Sequence, residues 1–159
     1  MSFSQSEIKE HIRVFLAFHG ILSLAVSQDD QPWISTGYYG MDEQMQLYVV
    51  TDPQSEHGKI YVANSHVAFA VFDSHQKITE PKYGVQGKGI IELIQDVPGM
   101  TMALECWHKA NPGVEEHITV AMMQDDANGT KIYKITPTYL KFFNKELYGE
   151  EEWGTITLK

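Results

Sequence analysis

The sequence has 159 residues, 43% of them hydrophobic and 21% charged, the proportions of a water-soluble globular chain built around one core. Twelve Lys and Arg against 21 Asp and Glu leave a formal net charge of −9, which repels nucleic acid and anionic membrane and argues against both as partners. Cys106 is the only cysteine, which excludes an intrachain disulfide and a paired-cysteine zinc site and fits a reducing cytosol.

The chain opens with a helical pattern over residues 6–18, where Ile8, Ile12, Phe15 and Phe18 share one face, Ser4 or Ser6 can cap the start and His19-Gly20 can close the end. The apolar run from Val14 to Val26 is too short to cross a bilayer and is broken by His19-Gly20. Glu7, Lys9, Glu10, His11 and Arg13 before it mix both signs, unlike a basic leader, so a cytoplasmic protein is expected. From Ile21 the period changes to two, with Leu22, Leu24 and Val26 alternating against Ile21, Ser23 and Ala25. Residues 28–32, Gln-Asp-Asp-Gln-Pro, are turn chemistry, and a second strand over residues 33–39 completes a hairpin. That second strand is polar on both faces and carries Gly37 in its interior. Either something approaches its backbone closely, or the glycine relieves a bend.

A third strand, residues 47–51, leads through a short turn to a helix over residues 56–63, capped by Ser55 with Ile60 and Ala63 facing inward. The strand over residues 67–72 sets Val67, Phe69 and Val71 against Ala68 and Ala70, carries no charge, and reads as central and buried. After a polar loop, residues 83–94 form a strand whose Gly84, Gly87 and Gly89 signal curvature or a bulge. Asp96 and Pro98 start a helix with Met100, Leu104 and Trp107 on one face, and Asn111-Pro112-Gly113 ends it. Residues 115–123 read as a short helix or an edge strand. Residues 131–136 and 138–143 read as two strands divided at Pro137, and residues 155–158 as a last short strand. The sum is a mainly β, antiparallel chain of seven or eight strands with two or three helices, one domain spanning residues 1–159.

The densest polar cluster lies between the third strand and its helix. Thr51, Ser55, His57, Gly58 and Lys59 gather at a helix start, where unpaired backbone N–H groups and the positive end of the helix dipole suit a phosphate. The plainer alternative is an ordinary Ser55 cap with a solvated Lys59. The seven histidines show no paired metal spacing, so no metal is expected. Cys106 and His108 are sequence neighbours that a helix does not turn toward each other, and Cys106 reads as a packed thiol. No nucleophile-elbow, Walker or dinucleotide glycine motif is present.

Taken together, residues 51–59 (T-D-P-Q-S-E-H-G-K), the strand ending V-A-F-A-V-F and residues 82–89 (K-Y-G-V-Q-G-K-G) resemble the FMN-binding split β-barrel family related to pyridoxamine 5′-phosphate oxidase. With residues 32–42 (P-W-I-S-T-G-Y-Y-G-M-D), the likeness is greatest to a small bacterial branch of it. It covers residues 6–143 and implies a split barrel that forms a homodimer with FMN at the subunit interface. It further implies Ser35, Thr36 and Gly37 along the flavin ring or ribityl chain, Thr51, Ser55, His57 and Lys59 at the phosphate, and Gln86 approaching from a neighbouring strand. The oxidase proper has Ser-Arg-Lys where this chain has Ser55-Glu56-His57, and it ends in an Arg- and His-rich tail where Trp153 here is followed by Gly-Thr-Ile-Thr-Leu-Lys. The expectation is therefore a flavin-dependent oxidoreductase on a small molecule, not a vitamin B6 oxidase. A flavin- or haem-binding protein without turnover, or a dimeric interaction module, are the alternatives, with His57, His66 and His117 as possible haem ligands.

Overall fold

The computed structural model describes residues 3–158. The N-terminal pattern forms helix α1, Gln5–Phe18, and Ser4 is its cap. Ser4 Oγ accepts from the Glu7 N–H while the Glu7 carboxylate accepts from the Ser4 N–H at 2.8 Å, so two otherwise unpaired donors are satisfied reciprocally. The buried stripe is Ile8, Ile12 and Leu16, whereas Phe18, expected on that face, is 86% exposed. Phe18 is the last helical residue, where the chain has already left the core to enter the sheet.

Strands β1, Ile21–Gln28, and β2, Gln31–Met41, make the predicted hairpin, in register from Gln28↔Gln31 to Ile21↔Tyr38. Its two-residue loop, Asp29-Asp30, has positive φ at both positions, 50° and 61°. β3 (Leu47–Thr51), helix α2 (Glu56–Ala63) and β4 (His66–Phe72) follow. The boundaries of α2 match the sequence reading, but its inward face does not: Gly58 and Tyr61 are buried, Ile60 is half-buried and Ala63 is exposed. β5 (Tyr83–Leu93), α3 (Val97–Ala110), α4 (Val120–Gln124), β6 (Lys131–Asn144), α5 (Lys145–Tyr148) and β7 (Trp153–Thr157) complete the chain. The undecided segment after α3 is thus helical in part, with Thr119 capping α4.

All seven strands form one antiparallel sheet in the order β3-β2-β1-β4-β5-β6-β7, and β3 also pairs with β6, so that six strands close into a barrel. β5 runs along one edge of β6. The other edge is shared, with β3 on residues 131–135 and β7 on residues 139–143. This sharing removes the expected division at Pro137. β6 is one strand, and Pro137 stands where its shared edge passes from β3 to β7, a place where a residue without an N–H is tolerated. The opposite edge carries a bulge at the same point, since Gly89 faces Pro137 and Lys88 faces Tyr139, leaving Thr138 as the extra residue. A Cβ on Gly89 would lie 2.3 Å from the Thr136 carbonyl oxygen, so the bulge requires glycine there.

The barrel interior is filled by the alternating apolar residues of β1, β3, β4 and β5, and Ile8, Ile12 and Leu16 of α1 join the same core. Tyr39 ties α1 to β2 by donating its hydroxyl to the Leu16 carbonyl at 2.5 Å. Outside the barrel, α3 and α4 cover β3 and the start of β6 through a second cluster that contains Tyr48, Met100, Leu104, Met123 and Ile132. The outer face of β2, β1, β4 and β5 lies open. β4 was expected to be buried on both sides, but only Val67, Phe69 and Val71 are buried, while Ala68 is exposed and Ala70 half-buried. No helix among the described residues is long and apolar enough to cross a membrane.

Candidate functional site

β2 and β3 pair only where Tyr39–Met41 meet Leu47–Val49. Beyond that point β2 stays with β1 and β3 stays with β6, so the two strands diverge. The gap is a pocket of about 90 Å³ lined by residues 35–38 of β2, residues 49–51 of β3, and His57 and Tyr61 of α2, with Leu22 and Leu24 behind. The β1–β2 ladder decides which backbone groups face it. The Tyr39 N–H donates to the Gly20 carbonyl, so odd-numbered residues of β2 bond toward β1, and the backbone groups of Thr36 and Tyr38 turn away into the gap. The Tyr38 carbonyl is taken by the Trp107 indole N–H at 3.3 Å.

Thr51 and His57 meet at the far end, with Thr51 Oγ1 and His57 Nε2 2.7 Å apart. Burial holds the His57 pKa below its ordinary value, only partly offset by the nearby Asp52 carboxylate, so the imidazole is neutral at physiological pH. Tyr61 lies one helical turn on from His57, with ring centroids 5.7 Å apart, and packs edge-on against Tyr133. Burial raises the Tyr61 pKa, with the neighbouring Ser35 hydroxyl pulling the other way, and the phenol stays protonated.

The turn beneath this pair is closed by its own atoms. Ser55 Oγ donates to the Asp52 carbonyl at 2.6 Å and accepts from the Gly58 N–H at 3.1 Å. Gly58 does serve a close approach, but of the chain itself: a Cβ there would lie 2.4 Å from the Asp52 carbonyl oxygen. Of the residues singled out from the sequence, Ser35, Thr36, Gly37, Thr51 and His57 come together in the lining. Ser55 caps α2 outside it. Lys59 is exposed and lies two positions from both His57 and Tyr61, hence on the opposite side of the helix. Gln86 is exposed on β5, in the row Thr36–Ser23–Ala70–Gln86 that crosses four strands, about 14 Å from Thr36 at ordinary strand spacing. Tyr61 was missed in the sequence, although its place four residues after His57 on a helix was the available signal.

The lining holds hydroxyls, an imidazole and backbone amides but no carboxylate or ammonium; Asp52 and Glu56 adjoin Thr51 and His57 in sequence, and Lys131 stands opposite Thr51 in the β3–β6 register. A wider groove of about 400 Å³ at the start of α3, lined by residues including Tyr48, Asp96 and Met102, has its one cation, Lys134, paired with Glu92 at 3.4 Å. Among the described residues no group of three His, Cys, Asp or Glu is placed to hold a metal ion.

No family model and no curated protein matches the sequence. Solved structures do resemble the fold. A haem-binding protein from Mycobacterium smegmatis is 16% identical with a TM-score of 0.75, over 99% of this chain and 59% of that one, so the present chain spans about three-fifths of its length. A NimC/NimA family protein from Clostridium acetobutylicum is 18% identical with a TM-score of 0.64, over 97% of this chain and 94% of that one. A protein from the same organism related to general stress protein 26 of B. subtilis, of the pyridoxinephosphate oxidase family, is 12% identical with a TM-score of 0.64, over 98% of this chain and 97% of that one. The open order of strands, the β3–β6 closure and these likenesses agree, and the chain has the split β-barrel fold of the pyridoxamine 5′-phosphate oxidase-like proteins.

Proposed function

We propose that the protein is a cytoplasmic, homodimeric FMN-binding protein that acts as an oxidoreductase on a small molecule. The observation that carries this reading is the β2–β3 gap. It presents the unpaired Thr36 backbone groups and the Tyr38 N–H beside the Ser35, Thr36 and Thr51 hydroxyls and a neutral His57. A flavin ring has alternating donors and acceptors along one edge, and a strand edge with free N–H and C=O groups meets them. When bound, the flavin would supply the electron transfer. Ser35, Thr36 and Gly37 would hold its ring or ribityl chain, and Thr51 and His57 would face its phosphate with Ser55 and Lys59 on the same turn and helix.

Small-molecule sites usually enclose roughly 300–1,000 Å³, well above the volume of this gap, so one chain supplies part of a site. The rest is assigned to a second copy docked on the open outer face. Ser23, Ala25, Ala68 and Ala70 form its centre, small residues that let two sheets approach, and Ile21, Ile34, Tyr38 and Phe72 around them are at least half exposed. Two-fold pairing about an axis that runs along the strands at that centre would set Gln86 of one copy over β2 of the other. Glu56 and His57 stand where the oxidase has a basic pair, and Trp153 is not followed by an Arg- and His-rich tail, so a vitamin B6 oxidase activity is not expected.

Haem is the rival ligand because one structure with the same fold is of a haem-binding protein. His57 is held by Thr51, and His66 and His117 are exposed on β4 and before α4. Purified protein titrated with FMN and with haem, and followed by absorbance, decides between them. Flavin bands that persist through gel filtration are expected. A Soret band would transfer the site to haem, and a colourless dimer that retains neither ligand would leave an interaction module.

A further inference from the structure

Four asparagines stand in the chain, Asn64, Asn111, Asn128 and Asn144, and only Asn128 is followed by glycine. A backbone nitrogen can attack the side-chain carbonyl carbon of the asparagine before it, and glycine leaves open the approach that any larger residue hinders. The fold holds the other three back. Asn111 precedes Pro112, whose nitrogen carries no proton to give up, and its amide is held by the Tyr39 and Trp107 carbonyls at 3.2 and 2.8 Å. Asn144 caps α5, its Oδ1 accepting from the Leu147 N–H at 3.0 Å, and Lys145 beside it is already helical. Asn64 comes nearest in geometry: its Oδ1 accepts from the His66 N–H at 3.0 Å, as Asn128 Oδ1 accepts from the Thr130 N–H at 2.9 Å. Asn64 precedes a serine, however, and its Nδ2 is tied to the Ser27 carbonyl at 3.0 Å.

Among the described residues neither Asn128 Nδ2 nor the Gly129 N–H has a hydrogen-bond partner, so both the atom that leaves and the atom that attacks are free. The Thr130 bond keeps the carboxamide folded back along the chain past the Gly129 nitrogen, and it draws charge from Oδ1, where negative charge gathers when the carbonyl carbon is attacked. We infer that Asn128-Gly129 is a self-modifying site whose reaction reports on, and loosens, the turn that builds the pocket. The Gly129 nitrogen bonds to Asn128 Cγ and gives up its proton, the side-chain nitrogen leaves as ammonia, and water opens the cyclic imide at either carbonyl. The product is aspartate, or isoaspartate where the main chain now runs through the former side chain. One water is consumed and one ammonia released, with no oxidant and no cofactor.

The effect reaches the pocket whatever ligand the pocket takes. The Asp52 carboxylate lies against Gly129, so closely that a Cβ there would be 3.0 Å from Oδ2. Asp52 in turn supports the start of α2: its carbonyl accepts from the Ser55 N–H at 3.1 Å and the Ser55 hydroxyl at 2.6 Å, and its Oδ1 accepts from the Gln54 N–H at 2.8 Å. Isoaspartate lengthens the main chain by a carbon directly before Gly129, and either product places a new carboxylate one residue from the Asp52 contact, where like charges repel. The turn between Thr51 and His57 is thereby strained without any change to a residue that lines the pocket.

The test ages the purified, folded chain at mildly alkaline pH and maps it by mass. The tryptic peptide of residues 110–131, which holds both Asn111 and Asn128, is expected to gain the mass of an amide turned into an acid at Asn128 alone, and to be labelled by an isoaspartyl methyltransferase. Asn128→Gln needs a larger ring to react and is expected to stay unchanged. The aged form carries an additional negative charge and separates on an anion exchanger. In it the Ser55 and Gly58 amides, which bond to the Asp52 carbonyl and the Ser55 hydroxyl, are expected to exchange hydrogen faster than in fresh protein, whereas the aged Asn128→Gln chain keeps the fresh rate. A folded chain that gains no mass at Asn128 would overturn the inference, and so would conversion at Asn64 or Asn144 as fast as at Asn128. Unchanged Ser55 and Gly58 exchange in the separated aged form, or the same acceleration in aged Asn128→Gln, would break the link to the pocket and overturn it equally.

Discussion

His57 couples the pocket to pH. Its ordinary pKa is 6.5 and burial places the folded value lower, so as the pH falls the unfolded chain takes up a proton before the folded chain does. The neutral ring therefore contributes stability that is fully present above pH 6.5 and is lost as the pH drops toward the folded value. Denaturant midpoints measured between about pH 7 and about pH 5 are expected to fall, and His57→Gln, which does not titrate there, is expected to flatten the fall. An unchanged slope would move the titration to another group. Thr51 and His57 were readable in the sequence because two polar residues bracket a short turn between strand and helix. Tyr61 was not, because an aromatic at helical spacing reads as core, and it is core: it is 7% exposed and packs on Tyr133 while its hydroxyl meets Ser35. Gly58 was readable as a site of close approach but not by whom, since nothing local says that residues 52 and 53 fold back onto the helix start.

At the scale of elements, the β1–β2 hairpin holds two aspartates in the left-handed region, where β-carbons crowd the backbone and glycine or asparagine is preferred. Asp29→Asn with Asp30→Gly is expected to stabilise the fold by about 1 kcal/mol, read as a rise of a few degrees in Tm. No change would mean that the aspartate side chains offset the strain locally. Helices α1, α2 and α3 and most strands were legible from apolar period and capping residues, whereas α4 was left open and α5 went unread. β6 was misread because a proline normally ends a strand, and the two facts that accommodate Pro137, a change of partner on one edge and a bulge on the other, belong to neighbours far away in sequence. Gly89 announced a bulge, but its counterpart Thr138 carries no signal of its own.

For the whole molecule, the open face of the sheet decides between a lone subunit and a pair. Ala68 is exposed at its centre, so Ala68→Arg fits a single chain without rearrangement but sets two large cations against each other if two faces meet. The variant is expected to sediment as a folded monomer with an unchanged unfolding midpoint and weakened FMN binding. A persistent dimer would place the interface elsewhere. The barrel itself was legible only through resemblance, because the pairing of β3 with β6 has no local signature. That same pairing fixes when the site comes into being. It joins strands separated by α2, β4, β5, α3 and α4, the longest sequence separation in the sheet, and such contacts form late because their loop-closure entropy must be overcome first. β3 is one wall of the β2–β3 gap, so the pocket does not exist in a nascent chain whose barrel is still open. Capture of the proposed ligand would thus act as a clock for the last step of folding: a subunit able to take it up is one that has already closed.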